Sequence, residues 1–442
     1  MNLSLSRHLP NDDAQRWALH DEIHTRPSAT FKLPALIVYV AVLNKSVTVD
    51  MELSHLKKLA AHVDLQADML KGNFFQLQCD GYKVIWERHT EFTRYTIVQA
   101  LPDHAQWGST GPVLAPFVAT GSEWLSEIPG QTITAIHLAM LNEGMEDDDA
   151  FYKARQWLGE GTVIGSKMGR NSDHKSHSHL MTNLRIGDEG YERILVLAAP
   201  ETSENRSGRI AQRLLELETY RMMSLLSLPL AKSLSGMLTQ SELQLVAIND
   251  RLEKKLDADD RLLDDLAALA AKVESATAEN SFRFSAARAY DAIVQQRIAE
   301  MREQPLSGIQ TVGEFMQRRL APAMATVNAT SERLSALAQR VARANDLLRT
   351  RVDIATENHN QELLEKLTKG QAAQLRLQTT VEGLSIAAIS YYVVSLTYYL
   401  GKAIQATGVN LSPDLVAGFS TPFVVLICWR MVQKIHRSLH HT

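Results

Sequence analysis

The sequence has little cysteine and no excess of basic charge. Two cysteines, Cys79 and Cys428, occur among 442 residues. This count excludes a disulfide framework and is typical of a reducing compartment. Lysine and arginine number 46 against 50 aspartate and glutamate residues, for a formal net charge of -4. Proteins that bind nucleic acids normally carry a basic excess, so we expect no nucleic-acid partner.

Short motifs of the common nucleotide-binding and hydrolytic folds are also absent. The chain contains no GxGxxG, Walker A or GxSxG pattern, so neither a glycine-rich phosphate loop nor a nucleophile elbow is indicated. No paired acid and base stands out, and the sequence predicts a protein that is not an enzyme. The first residues, MNLSLSRHLPNDDAQRW, lack the apolar core of a signal peptide, so we expect the bulk of the chain not to be exported.

Long apolar runs are confined to the C-terminus. Residues 383–400 read GLSIAAISYYVVSLTYYL without a charge, and a helix of this length covers roughly 27 Å, close to the hydrocarbon thickness of a bilayer. Residues 415–429 form a shorter run that contains Pro422 and reaches spanning length if its helix continues to Val432. We predict a two-helix transmembrane hairpin over residues 383–435, with a cytoplasmic tail over 436–442 and the lipid bilayer as partner.

Basic residues flank this hairpin on both sides. They precede the first span at Lys366, Lys369 and Arg376 and follow the second at Arg430, Lys434 and Arg437. The connector between the spans holds only Lys402 and Asp414 as charged residues. The positive-inside rule therefore predicts two spans in a bacterial inner membrane with both termini in the cytoplasm. Two alternatives stay open: buried helices of a soluble protein, or a re-entrant second segment.

The middle of the chain, residues 206–382, is predicted to form a helical bundle and stalk. Leu334, Leu337, Val341, Ala344 and Leu348 recur at spacings of three and four, the pattern of a coiled coil or bundle. The segment 305–308 reads PLSG, a turn signal that folds the helices back. We expect the last helix to begin near Ala323 and to run unbroken into the first span.

Uncharged polar residues dominate the approach to the membrane. Gln371, Gln374, Gln378, Glu382 and Ser385 step by three and four, so they share one helical face. In a symmetric homo-oligomer such a face, with Thr397 further along, can line a water-filled path. A solvated or inter-helix face on a stalk explains the same pattern.

The N-terminal residues 1–205 predict a cytoplasmic α+β domain with a partly antiparallel sheet. Helical periodicity appears over 52–70 and 148–158, and Asp80-Gly81 indicates a hairpin between two strands. The predicted strands cover residues 35–43, 73–79, 82–89, 92–100, 132–141 and 193–199. The overall prediction is this domain, a long α-helical or coiled-coil middle and a two-helix transmembrane hairpin.

One histidine cluster has the composition of a metal site. His174, His177 and His179 offer three imidazoles within a short segment, and imidazole is a common ligand of transition metals. The surrounding residues 170–178 are polar, so a solvated loop without metal is the competing interpretation. No other cofactor is indicated.

Several long strings resemble a family of uncharacterised, membrane-anchored bacterial proteins, a domain of unknown function whose members sometimes carry an egg-lysin label. The resemblance covers the chain from end to end, implies membrane anchoring and supplies no reaction. The strings are LHDEIHTRP (19–27), WERHTEFTRYT (86–96), SGRIAQRLLELETYRMMSLLSLPLAK (207–232), EFMQRRLAPAM (314–324), LLRTRVDIATE (347–357) and QLRLQTTVEGLSIAAISYYVV (374–394).

The order of the parts is also similar to CorA-type divalent-cation channels, which carry a Gly-x-Asn motif after the first span. Gly408-Val409-Asn410 lies in the corresponding connector, although Thr407 replaces the aromatic residue expected before the glycine. In a symmetric oligomer, the resemblance implies that the Gly408 backbone and the Asn410 amide bind a hydrated divalent cation at a pore mouth. The polar face with Gln378, Glu382 and Ser385 would then line the path.

Two functions therefore follow from the sequence. The first is a CorA-like homo-oligomeric cation transporter. The second is a membrane-tethered scaffold or signalling protein whose cytoplasmic domain binds a protein partner. The two share the membrane anchor and differ in whether anything crosses the bilayer.

Overall fold

A computed structural model describes residues 12–17, 19–20, 28–59, 65–70, 72–143, 150–159, 161–169, 177–254, 259–406, 408 and 412–439. The described residues fall into two compact units. One comprises those of Met1–Asp257 and Asp264–Arg343, and the other those of Ala258–Leu263 and Ala344–Thr442. The first unit contains the sheet and a set of helices, and the second contains the apolar C-terminal helices.

Nine strands of the described chain form one mixed sheet in the order β2-β3-β4-β1-β5-β8-β7-β6-β9. Only β5 and β8 pair in parallel among these described strands, so the predicted partly antiparallel sheet is confirmed. The strands are β1 (Ala35–Leu43), β2 (Phe74–Gln78), β3 (Tyr82–Arg88), β4 (Phe92–Ala100), β5 (Gln131–Leu141), β6 (Ile164–Met168), β7 (Ser178–Ile186), β8 (Glu192–Leu197) and β9 (Glu303–Pro305).

The helices carry the rest of the described structure. Three short ones, α1 to α3, are interleaved with the strands, and five longer ones follow β8. The bounds are α1 (Val49–Lys57), α2 (Ser122–Ser126), α3 (Ala150–Leu158), α4 (Glu204–Leu225), α5 (Ser227–Glu253), α6 (Asp259–Met301), α7 (Val312–Gln405) and α8 (Pro413–Leu439). Short 3₁₀ turns occupy Ala67–Leu70, Asp103–Ala105 and Ala115–Phe117.

Strand β1 lies in the interior because its sequence, ALIVYVAVL, is apolar on both faces. It pairs with β4 on one side and β5 on the other. Leu36 and Val38 belong to the core that includes side chains of α1 to α3. The alternate residue Tyr39 donates to or accepts from Thr219 of α4 at 2.6 Å. The sheet is thus covered by short helices on one face and by α4 on the other.

Helix α7 begins at Val312, earlier than the predicted start near Ala323. The cause is a capping box, in which the Thr311 hydroxyl accepts from the Glu314 N–H and the Glu314 carboxylate accepts from the Thr311 N–H. Pro322 lies inside the helix and does not end it. The prediction of an unbroken helix into the first apolar run is confirmed. So is the buried stripe Leu334, Leu337, Val341, Ala344 and Leu348.

Other boundaries differ from the sequence prediction. The helix predicted over 52–70 ends at Lys57, and only a 3₁₀ turn follows at Ala67–Leu70. Strands β6, β7 and β9 were not predicted. The polar segment 170–178 was predicted to be a loop, but its last residue, Ser178, is the first residue of strand β7.

Two helices of the described chain are long and apolar enough to cross a membrane, α7 and the Pro413–Val432 part of α8. The apolar run of α7 and all of α8 belong to the second unit. Their apolar windows are only 6% and 0% buried, unlike the core helix of a soluble protein. The Thr397 and Ser420 hydroxyls meet at 3.2 Å, and Gly401 lies against Pro413. The contacts between the two helices are therefore made by small and hydroxyl-bearing residues, as is common between helices in lipid.

Gly208 allows the close packing of α4 against the segment at Ala29 to be tested. A Cβ atom at this position would lie 1.5 Å from the Ala29 carbonyl oxygen, whereas a Cβ at Gly236 of α5 would meet nothing within 4 Å. Gly208→Ala should therefore destabilise the protein by at least about 2 kcal/mol through overpacking. Gly236→Ala should stabilise it by about 0.5–1 kcal/mol through helix propensity.

Thermal unfolding of the detergent-solubilised chain, followed by tryptophan fluorescence, measures both changes. The tryptophans Trp86, Trp124 and Trp157 lie in the first unit and are buried there. Equal melting temperatures for the two alanine variants would contradict the close packing of α4.

Candidate functional site

A chain of ion pairs runs between the sheet, α4 and α6. The Arg94 guanidinium of β4 binds the Glu87 carboxylate of β3 through Nε at 2.5 Å and reaches Glu216 of α4 at 3.5 Å. Glu216 also accepts from Arg297 of α6 at 2.6 Å, and Arg297 in turn binds Glu300 at 2.9 Å. These residues form the ion-pair chain.

Three residues of the ion-pair chain, Arg94, Glu87 and Glu216, are shielded from water. Side-chain exposure is 8% for Arg94, 6% for Glu87 and 7% for Glu216. Burial lowers the pKa of the Arg94 guanidinium, but the Glu87 carboxylate, Tyr39 and Glu216 more than offset this and raise the pKa overall. Arg94 therefore stays charged, and removal of one partner would leave an uncompensated buried charge.

The same faces that carry these charges also carry aromatic rings. Phe92 lies two residues before Arg94 on β4, Tyr220 lies four residues after Glu216 on α4, and Tyr290 lies seven residues before Arg297 on α6. These spacings place each ring on the face of its charged neighbour. The ion pairs thus bring three rings from distant parts of the sequence together.

Four rings form a continuous row at the β3–β4 turn. His89 stacks on Phe92 with centroids 4.5 Å apart, Phe92 meets Tyr220 edge-on at 6.0 Å, and Tyr220 stacks on Tyr290 at 5.6 Å. They line a cavity of about 580 Å³, together with Asn73, Arg88, Thr90 and Ile293. This is the aromatic cleft.

Glu91 holds the turn of the cleft against α6. Its carboxylate accepts from the Tyr290 hydroxyl at 2.6 Å and pairs with Arg283. Burial raises the pKa of Tyr290, and the nearby Arg283 opposes this shift. Arg88, at the edge of the cleft, is paired with Glu52 of α1 at 2.6 Å. The cleft therefore combines an aromatic wall with polar side chains, Asn73, Arg88 and Thr90, around its edge.

A second cluster of ion pairs joins β8 to α4. Arg221 of α4 binds Glu192 of β8 at 2.9 Å and Glu218 at 2.6 Å. Burial, and next the Glu218 carboxylate, raise the pKa of Glu192 to about 8, against the opposing charge of Arg221. Two buried carboxylates sharing one arginine therefore hold a proton near neutral pH.

The structure describes only part of the predicted metal site and of the predicted pore. His179 lies on β7, His177 directly precedes that strand, and His174 lies outside the described residues. Burial, then Lys167 and His177, lower the pKa of His179 to about 4, which favours the neutral imidazole that metals bind. No group of three His, Cys, Asp or Glu residues within the described chain has metal-site geometry. The three-histidine metal site stays a prediction.

The candidate pore residues lie on α7 and in the connector. The Gln378 amide donates to Glu382 at 3.2 Å, and the Ser385 hydroxyl donates to the Val381 carbonyl at 2.8 Å. Gly408 is exposed, with φ of 95° in the left-handed region, and Asn410 lies outside the described residues. Their selectivity role is therefore a prediction that the fold does not test.

Comparison with known families supports the resemblance inferred from the strings. The sequence pattern of the family described as "Protein of unknown function (DUF3422)" matches residues 11–439. The chain belongs to this family. No curated protein and no solved structure matches the chain, so neither the CorA resemblance nor the egg-lysin label gains support from relatives. Membership of DUF3422 brings no assigned reaction.

The ion-pair chain and the aromatic cleft were missed by reasoning from the sequence. The sequence does carry a signal of the buried ion pairs, within the segments 86–96 and 207–232. Glu87 and Arg94 are charged residues inside apolar strands, and Glu216 interrupts the apolar face of α4. Charges at core positions are retained only with partners, so they indicate a buried network whose pairing the sequence leaves open.

Glu192 gives this domain a defined pH dependence. Its carboxyl is neutral in both states below its ordinary pKa of 4.5, and it holds its proton in the fold up to about 8. The stability that it contributes is therefore lost as pH rises from about 4.5 through about 8. Glu192→Gln should flatten this decline and raise the stability at pH 9 by about 1 kcal/mol or more.

Melting temperatures of the solubilised chain between about pH 6 and pH 9 measure this slope. Glu123→Gln, at an exposed position on α2, is the matched control and should keep the wild-type slope. If Glu192→Gln and wild type decline in parallel, the retained proton is assigned to the wrong group.

Proposed function

We propose that the protein is a membrane-anchored binding protein whose first unit recognises a planar organic ligand in the aromatic cleft. The observation that carries the proposal is the cavity of about 580 Å³ lined by His89, Phe92, Tyr220 and Tyr290. Its volume lies within the range of ligand pockets, which pair aromatic side chains with polar groups that orient the ligand. This corresponds to the tethered scaffold or signalling function.

Planarity of the ligand follows from the walls. Tyr220 and Tyr290 lie nearly parallel, with an interplanar angle of 23°, and His89 and Phe92 differ by 21°. Flat faces of this kind gain most from offset stacking on another ring. The charges at the rim, Arg88 and Glu91, already have protein partners, so the cleft favours an uncharged or weakly charged ring.

A ligand in the aromatic cleft would contact α6 through Tyr290. A ligand that stacks on Tyr290 meets a ring whose hydroxyl is held by Glu91, and Tyr290 shares its helix face with Arg297 of the ion-pair chain. Displacement of Tyr290 would thus alter contacts between the β3–β4 turn and α6. This is the physical basis on which a ligand signal could pass to a protein partner.

Ligand-detected NMR with planar probes, indole and nicotinamide, on the solubilised full chain tests the cleft. Tyr290→Ala removes half of the stacked tyrosine pair and should weaken probe binding about fivefold or more, since stacking on an aromatic side chain contributes about 1–3 kcal/mol. Tyr152→Ala removes an exposed tyrosine of α3 and should leave probe binding unchanged. Equal saturation transfer in wild type and both variants would refute the aromatic cleft as the binding site.

The anchor in this proposal is a hairpin in a bacterial inner membrane. The exposed apolar surface of α7 and α8 supports it, because side chains such as Leu384, Tyr391 and Phe419 are more than two-thirds exposed and need lipid or another copy to cover them. Helix α8 is continuous through Pro422, which favours a span over a re-entrant loop. The flanking arginines and lysines assign both termini to the cytoplasm.

The polar face of α7 favours cation transport as a second candidate. Gln378, Glu382 and Ser385 share one exposed helix face that leads to the apolar run. A closed ring of copies would turn this face toward an axis, with Gly408 and Asn410 at its outer mouth and a divalent cation as cargo. A monomer or dimer has too few spans to enclose such a path.

Native mass spectrometry of the solubilised particle separates the two candidates. Transport requires a closed ring of several copies, in which Asn410→Ala abolishes divalent-cation uptake while the ring stays assembled. The control Thr442→Ala, at the C-terminal tail, should leave uptake unchanged. A monomer or dimer would remove transport and leave the binding function. Wild-type uptake by Asn410→Ala would instead remove the selectivity role of Asn410.

A further inference from the structure

Helix α4 also lines a second cavity, separate from the aromatic cleft. It has a volume of about 380 Å³ and lies where α4 meets the ends of β6 and α6. Arg206, Arg209 and Arg213 of α4 and Arg302, directly after α6, surround it. We name this the arginine cleft. Arg206, Arg209 and Arg213 recur at spacings of three and four, so one face of α4 presents all three.

The cleft carries a surplus of positive charge. Its one lining carboxylate among the described residues, Glu300, is bound by Arg297 at 2.9 Å and by Arg213 at 3.5 Å. Within the part of the chain that the structure describes, Arg209 and Arg302 are paired with no carboxylate and are exposed. The chain as a whole is acidic, with a net charge of -4, so this concentration of guanidinium groups is local.

Arg302 adopts a backbone conformation that arginine disfavours. Its φ is 49°, in the left-handed region, at the position after a helix end where glycine is the usual residue. Strain of this kind persists where the surrounding structure imposes it, and such outliers cluster at ligand sites. The guanidinium of Arg302 borders the cleft, which is where that use would lie.

The floor of the cleft is apolar. Met168, Ile210, Leu214 and Met301 form it beneath the arginines. Guanidinium groups bind phosphate oxygens in a planar, two-point geometry, while an apolar floor accommodates carbon-bound parts of a ligand. We propose that the arginine cleft binds an organic phosphate with two or more negative charges.

Such a phosphate has two sources, a free molecule such as a nucleoside diphosphate or the head group of an acidic lipid. Isothermal titration calorimetry of the solubilised full chain with adenosine diphosphate tests the first source. Titration with detergent micelles that contain phosphatidic acid tests the second. Saturable binding of adenosine diphosphate assigns a free ligand, and binding of the lipid micelles alone assigns a head group.

Two variants test whether the phosphate binds in the arginine cleft. Arg209→Gln and Arg302→Gly should each weaken it at least tenfold, because each removes charge-assisted hydrogen bonds to phosphate. Arg302→Gly also relieves the left-handed strain, so its melting temperature without ligand should equal or exceed that of wild type. Lost binding in this variant therefore cannot come from lost folding. Arg155→Gln, at an exposed arginine of α3 that does not line the cleft, should bind as wild type does.

Either of two results would overturn the proposal. One is the absence of saturable binding by wild type in both titrations. The other is wild-type affinity in both Arg209→Gln and Arg302→Gly. Because the adenine ring is planar and can also stack in the aromatic cleft, Tyr290→Ala is titrated in parallel and should bind adenosine diphosphate as wild type does. Binding that is lost in Tyr290→Ala and kept in the arginine variants belongs to the aromatic cleft and overturns the proposal for the arginine cleft.

Discussion

The first unit depends on one buried arginine. Arg94 lies among the side chains between β4 and α4 with 8% exposure, and Glu87 and Glu216 are its carboxylate partners. A buried charge is tolerated only with good partners, and breaking such a pair costs far more than an exposed pair contributes. The sheet and α4 must therefore meet with these groups in register, which orients the helix on the sheet.

Both clefts follow from that placement of α4. Its C-terminal half brings Tyr220 to the aromatic row, and its N-terminal half presents Arg206, Arg209 and Arg213 to the other cavity. The ion-pair chain continues from Glu216 through Arg297 and Glu300 to Arg213. Helix α4 thus lines two chemically different sites, an aromatic one near its C-terminal end and a cationic one near its N-terminal end.

The parts predicted well from the sequence are those whose signal is local. Strands β1 and β4 coincide with the predicted 35–43 and 92–100, because both segments are rich in the β-branched and aromatic residues that favour strands. Strands β6 and β7 were missed since Gly165, Lys167 and Asn183 interrupt their apolar pattern. They pair with each other, and β6 also pairs with the distant β9 and β7 with β8, which compensates for weak local propensity.

The sequence by itself determined the class of the protein: a sheet-containing first part, long helices and two apolar helices of spanning length, each encoded by residues close together in the chain. Family membership also rests on sequence alone. The tertiary structure decided the sites, because Phe92, Tyr220 and Tyr290 form one wall only after residues some 70 to 200 positions apart are packed together. Pairing between distant charges selects one arrangement, and no local pattern encodes which glutamate meets which arginine.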